Sequence, residues 1–196
     1  MKKIFIIGGI GAGKSSVLQT FAALGIPVLD LDKVGHAVLD LADVKAALVE
    51  AFGTSILDEN SEVKRRVLAS YAFLCLQSTE KLIDITSPAI LEKLQIWLAE
   101  KEAAGNAFAV IEVSAYDGPE GHYTEACDYV VAVCAPSKTQ LKRARARGLS
   151  EIEIQQRIAV QPSDEARRTW ADCVIENDGD FAFLEAQVKN FLASIS

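Results

Sequence analysis

The chain has 196 residues, half of them hydrophobic and 24% charged, with 20 Lys plus Arg against 27 Asp plus Glu and a formal charge of −7. With 12 glycines, 5 prolines and 4 cysteines, this composition excludes collagen-like, disordered and disulfide-scaffold chains. The acidic balance speaks against a general nucleic-acid or membrane surface. Four cysteines without a C-x-x-C pair, and two histidines away from them, argue for reduced thiols and against a structural zinc site.

Ile4-Phe5-Ile6-Ile7 is an apolar run ending in glycines, the pattern of a central parallel strand buried on both faces. Lys2-Lys3 ahead of it looks like a secretory leader, but the run passes into Gly13-Lys14-Ser15 without a cleavage site. The expected compartment is the cytoplasm. Val17, Leu18, Phe21 and Leu24 recur at helical spacing, and Gly25 with Pro27 ends that helix. Pro27 to Leu31 reads as a second strand, and residues 33–52 as helical with a break near 40–43. Residues 61–104 read as almost all helix, with Ser61 as N-cap and Pro88 opening a long segment. Phe108 to Val113 and Tyr129 to Cys134 are the next strands. Helices follow at 136–147 and 150–161, a short strand at 173–175, and a helix at 181–195. Alternating strands and helices predict an α/β fold with a parallel sheet covered on both sides. No stretch approaches 18 uninterrupted apolar residues, so no membrane span is expected.

Gly8-Gly9-Ile10-Gly11-Ala12-Gly13-Lys14-Ser15 matches G-x-x-x-x-G-K-[ST] between a predicted strand and a predicted helix. Glycines let backbone N–H groups turn around phosphate oxygens, and the helix N-terminus adds partial positive charge. Lys14 is placed to reach β- and γ-phosphates, and the Ser15 hydroxyl to ligate Mg²⁺. Asp30 and Asp32 stand two residues apart at the end of the second strand, where alternation turns both to one side, beside the ligand crevice. One can act on an acceptor hydroxyl; the other reading is that Asp32 caps the next helix. Glu112, at the end of the third strand, can support Mg²⁺ through water. Arg143, Arg145, Arg147, Arg157, Arg167 and Arg168 crowd the C-terminal third. Arg143 and Arg147 share a helix face, whereas Arg145 is expected to face solvent.

These pieces together resemble the dephospho-CoA kinase family over nearly the whole chain. The resemblance is carried by residues 8–15, by Asp30-Leu31-Asp32 with Val34-Gly35-His36, and by Val63 to Leu68 with Phe73. It continues through Gln140 to Arg143 with Arg147, Gln156-Arg157-Ile158 with Gln161, and Ala171 to Gly179. Two segments depart: Ser87-Pro88 stands where the family has His-Pro, and Ser114-Ala115-Tyr116 where it has Pro-Leu-Leu, both on the side expected to receive the acceptor. The resemblance implies a three-layer P-loop NTPase fold with a parallel sheet, an inserted helical acceptor-binding subdomain and a short helical lid. The nucleotide-binding core is expected at 1–60, 106–136 and 171–196, the helical subdomain at 61–105 and the lid at 137–170.

It also implies transfer of a phosphoryl group from ATP, with Mg²⁺, to the ribose 3′-hydroxyl of dephospho-CoA. ATP phosphates fall on Gly9, Ile10, Gly11, Ala12, Gly13, Lys14, Ser15 and Ser16, with Arg147 from the lid and Asn177 at the adenine. Lys14, Asp32 and Arg143 are expected to be catalytic, with Asp32 as the base. Asp32, His36, Arg65 and Arg157 fall to the acceptor, and Ser15 and Glu112 to the metal. The implied partners are these two small molecules only, with a monomer or small homo-oligomer. The alternatives are a P-loop kinase with another hydroxyl acceptor and a binding module without activity. A switch GTPase is disfavoured, since no N-K-x-D guanine motif is present.

Overall fold

A computed structural model describes residues 1–121 and 123–196, leaving out His122 and the side chains of Thr124, Gln156, Arg157 and Val160. The buried run of Ile4, Phe5, Ile6 and Ile7 lies within strand β1 (Lys2–Gly8). On either side it pairs in parallel with β3 (Phe108–Glu112) and β4 (Tyr129–Cys134). β2 (Val28–Asp30) and β5 (Cys173–Glu176) form the edges of a five-stranded sheet, order β2-β3-β1-β4-β5. Every pairing is parallel. The strand carboxyl ends therefore open on one edge of the sheet, where such folds bind ligands.

The two faces of the sheet are packed differently. Ile4, Ile6, Val110, Val131, Val133 and Ile175 meet α1 (Lys14–Ala23) and α9 (Phe181–Ile195) through Val17, Phe21, Leu184 and Val188. On the other face, Phe5 sets its ring edge-on to Tyr116, with centroids 6.4 Å apart, and Tyr116 does the same to Trp170 at 5.9 Å. Full burial of one such apolar side chain contributes about 1.5–3 kcal/mol. Among the described residues no helix is long and apolar enough to cross a membrane.

The chain divides into two compact units, Met1–Asp30 with Leu98–Ser196, and Leu31–Trp97. The second unit holds α2 (Leu31–Val38), α3 (Ala42–Phe52), α4 (Arg65–Ala72) and most of α5 (Leu76–Ala103). The first also holds α6 (Ser137–Ala146), α7 (Glu151–Val160) and α8 (Asp164–Trp170).

Three local expectations change and one helix is added. Leu31 and Asp32 belong to α2, so strand alternation stops at Asp30; β2 pairs only where Val28 to Asp30 face Val110 to Glu112. Ser61 is not an N-cap but sits at φ 62, in a turn closed by its N–H on the Asp58 carbonyl; α4 starts at Arg65 behind Lys64. Pro88 opens nothing: it lies inside α5. An interior proline costs about 3 kcal/mol. Burial of Ala89, Ile90 and Leu94 just beyond it offsets that cost. Finally, the segment that carries Arg167 and Arg168 is a separate helix, α8, capped by the Ser163 hydroxyl, which accepts from the Ala166 N–H at 3.1 Å.

Candidate active site

The loop between β1 and α1 begins at Gly8 and ends at Gly13, the N-cap of α1. Gly13 has φ 97, and a Cβ there would fall onto the side-chain amide of Asn177, so both conformation and space require glycine. Lys14 is the first residue of α1. Its ammonium curls back over the loop, donating to the Gly8 carbonyl at 2.9 Å with Glu112 Oε1 at 3.7 Å. The loop thus presents a helix N-terminus with a cation folded across it, the arrangement that attracts phosphate.

Two helices and three strand ends supply the surrounding side chains. Arg143, on α6, donates to the Ala12 carbonyl at 3.2 Å, and Arg147, the C-cap of α6, donates to Ser15 Oγ at 3.2 Å. Arg145 between them points away and pairs with Glu151 at the surface. The helical spacing therefore separates the three arginines as expected. Asn177 follows β5; its N–H donates to the Cys134 carbonyl at 2.7 Å, and its buried amide donates to the Ala12 carbonyl at 2.8 Å. Gln161, which ends α7, accepts from the Ile10 N–H at 3.1 Å. Glu112 stands opposite Asp30 in the β2–β3 register, so two carboxylates share the strand ends beside Lys14.

Gly9 to Ser16, Arg143, Arg147, Asn177 and Glu112 thus come together in one unit. The remaining expected residues lie elsewhere. In the unit Leu31–Trp97, Asp32 in the first turn of α2, His36 in its last turn and Arg65 at the start of α4 are all exposed. Asp32 and His36 are four residues apart on one helix face. Arg157 lies in α7, but its side chain is outside the described residues, as is His122.

Beneath the loop the structure adds a cluster that the motifs do not mark. Arg167 is 5% exposed and donates to Asp164 Oδ1 at 2.8 Å, while Gln140 Nε2 donates to Asp164 Oδ2 at 2.6 Å. The Ser163-Asp164-Glu165 start of α8 was the available signal for this helix. The neighbouring Cys134 thiol is pushed up to about 11 by burial. Burial likewise raises Cys127 to about 11 and exceeds the hydrogen bonds that lower it.

The family model for dephospho-CoA kinase matches residues 3–182. A dephospho-CoA kinase of Corynebacterium glutamicum is 35% identical over 200 residues, spanning all of both chains. That of Dehalococcoides mccartyi is 30% identical over 193 residues, 96% of this chain and 95% of its own. A solved Thermus thermophilus structure matches with TM-score 0.84 at 26% identity, covering 100% of this chain and 98% of that one.

Proposed function

We infer the workings of this site from one fact: the chain belongs to the dephospho-CoA kinase family. It is a phosphotransferase that uses ATP to convert dephospho-CoA into CoA. We propose that the atom phosphorylated is the ribose 3′-oxygen, with ADP as the second product. The observation that carries the assignment of residues is the convergence of Lys14, Arg143 and Arg147 on one glycine loop, each arginine within 3.2 Å of it.

In this reading the N–H groups of Gly9 to Ser16 hold the ATP phosphates, and Lys14 neutralises the β- and γ-groups. Arg143 and Arg147 exchange their present acceptors, the Ala12 carbonyl and Ser15 Oγ, for phosphate oxygens. They belong to a lid at residues 137–170 that excludes water, and Asn177 borders the adenine. Asp32 accepts the proton of the ribose hydroxyl as its oxygen bonds to the γ-phosphorus and the bond to the ADP oxygen breaks. His36, Arg65 and Arg157 bind the acceptor, with the helical segment 61–105 around it.

A divalent ion fits the donors present. Among the described residues no three His, Cys, Asp or Glu gather as a protein cage. The Ser15 hydroxyl, Glu112 and Asp30 offer oxygen only, which suits Mg²⁺ held by one or two protein oxygens, water and phosphate. Mg²⁺ would neutralise phosphate charge, with Ser15 holding it directly and Glu112 through water. A cytoplasmic enzyme, monomeric or a small homo-oligomer, completes the reading.

The test is to incubate the protein with ATP, Mg²⁺ and dephospho-CoA and to locate the new phosphate by ³¹P–¹H NMR. A 3′-phosphomonoester with stoichiometric ADP is expected. A phosphate on any other hydroxyl overturns the assignment of the acceptor atom.

A further inference from the structure

Asp164 spends its two carboxylate oxygens on two different helices. Oδ1 accepts from Arg167 on its own helix α8, and Oδ2 accepts from Gln140 on α6. Gln140 uses its other amide hydrogen on the Ala135 carbonyl, 2.8 Å away, just past β4. These helices begin and end the segment 137–170. The same three side chains wall the phosphate loop: a Cβ on Gly9 would stand 2.9 Å from Arg167 Nη1, 3.3 Å from Gln140 Oε1 and 3.4 Å from Asp164 Oδ1. Stability alone is a weak reason for such a cluster, because a buried ion pair is often no better than apolar residues of the same volume. Its geometry is the informative part.

We propose that Asp164 is a positioning residue: it ties the two roots of the lid together and, through Gln140 and Arg167, sets the phosphate loop at Gly9 for ATP. The inference rests on the reading of 137–170 as a lid. The phosphate loop binds through fixed backbone N–H groups, so a shift of even an ångström there weakens nucleotide binding. Acceptor binding, assigned to other residues, is untouched.

The experiment compares the parent with Asp164→Asn, Gln140→Met, the double variant and Arg147→Ala, by steady-state kinetics in ATP and in dephospho-CoA and by thermal melting. Either single variant is expected to raise KM for ATP about tenfold and to leave KM for dephospho-CoA within about twofold. The double variant is expected to be no worse than the weaker single one, since both cut the same link. Gln140→Met keeps the Arg167–Asp164 pair, so it decides the matter if Asp164→Asn fails to fold. An unchanged KM for ATP in Gln140→Met overturns the proposal. So does a fall in kcat alone with both KM values intact, which reports lost folded enzyme. Arg147→Ala separates the two readings: if it leaves ATP kinetics unchanged the lid assignment fails, whereas if it alone impairs them only the role of Asp164 fails.

Discussion

Lys14, Arg143, Arg147 and Asn177 each already hold a protein acceptor within 3.2 Å around the phosphate loop. In the unit Leu31–Trp97, by contrast, Asp32, His36 and Arg65 stand exposed, and Phe73, Leu74 and Leu76 are 66–74% exposed. The contrast suits the two kinds of ligand proposed above. A triphosphate is small, rigid and highly charged, so its site is best built in advance from backbone N–H groups and cations whose cost of ordering is met during folding. Dephospho-CoA offers an adenine, a diphosphate and a long flexible arm, and in the proposed reading a surface of exposed charges and apolar side chains suits that mixture.

The sharpest break in this comparison is Lys14→Ala. It is expected to lower kcat/KM by about a thousandfold or more in an ADP-release assay, because the cation stabilises charge on the transferring group. Its melting temperature should stay close to the parent's. Asp32→Asn comes next: kcat falls about a hundredfold while KM for ATP is unmoved, as expected of a general base that acts on the acceptor hydroxyl and not on the nucleotide. Full turnover by this variant would remove Asp32 from that role. Arg65→Ala is milder, with KM for dephospho-CoA up about tenfold and KM for ATP unchanged. A rise in the ATP value instead would erase the division of labour.

The smallest effect concerns thiols. Cys75 is exposed, and a hydrogen bond from Ser78 lowers its pKa, whereas Cys127 and Cys134 are held near 11 by burial. One thiol should react promptly with Ellman's reagent at pH 8, and Cys75→Ser should abolish that phase. Linkage adds a pH signature. Unfolded thiols ionise near 9.0, while Cys127 and Cys134 keep their protons to about 11 in the fold. The folded state therefore binds more protons in that window, and stability falls as pH rises from about 9 to 11. Urea midpoints across that range check it.

The phosphate loop was legible because its chemistry is a demand on the backbone, and only glycines at such spacing meet it. The strands were legible to within a residue or two, since burial on both faces leaves an uninterrupted apolar run. The errors fall where tertiary packing overrides local rules. Pro88 signals a helix start, yet the burial of Leu94 and its neighbours carries α5 through it. Asp32 reads as a strand residue until the three-residue pairing of β2 with β3 ends the strand before it. In the sequence Arg167 is only one of six arginines that crowd the C-terminal third; its burial depends on Asp164 and Gln140, and no spacing rule connects Gln140 on α6 to a carboxylate two helices later. Tyr116, which stands in a segment departing from the family pattern, is a buried aromatic link between Phe5 and Trp170. Its place in the sheet's cover could not be read from its neighbours in sequence.

The chain has two tryptophans, and they fall one to each compact unit, Trp97 in α5 and Trp170 at the end of α8. Trp170 lies 5.9 Å from the Tyr116 ring and closes the helix that carries Asp164 and Arg167. The molecule therefore carries its own pair of optical probes. In a Trp97→Phe protein all indole emission comes from α8, and in a Trp170→Phe protein all of it comes from the helical unit, so light alone can say which half a ligand has reached.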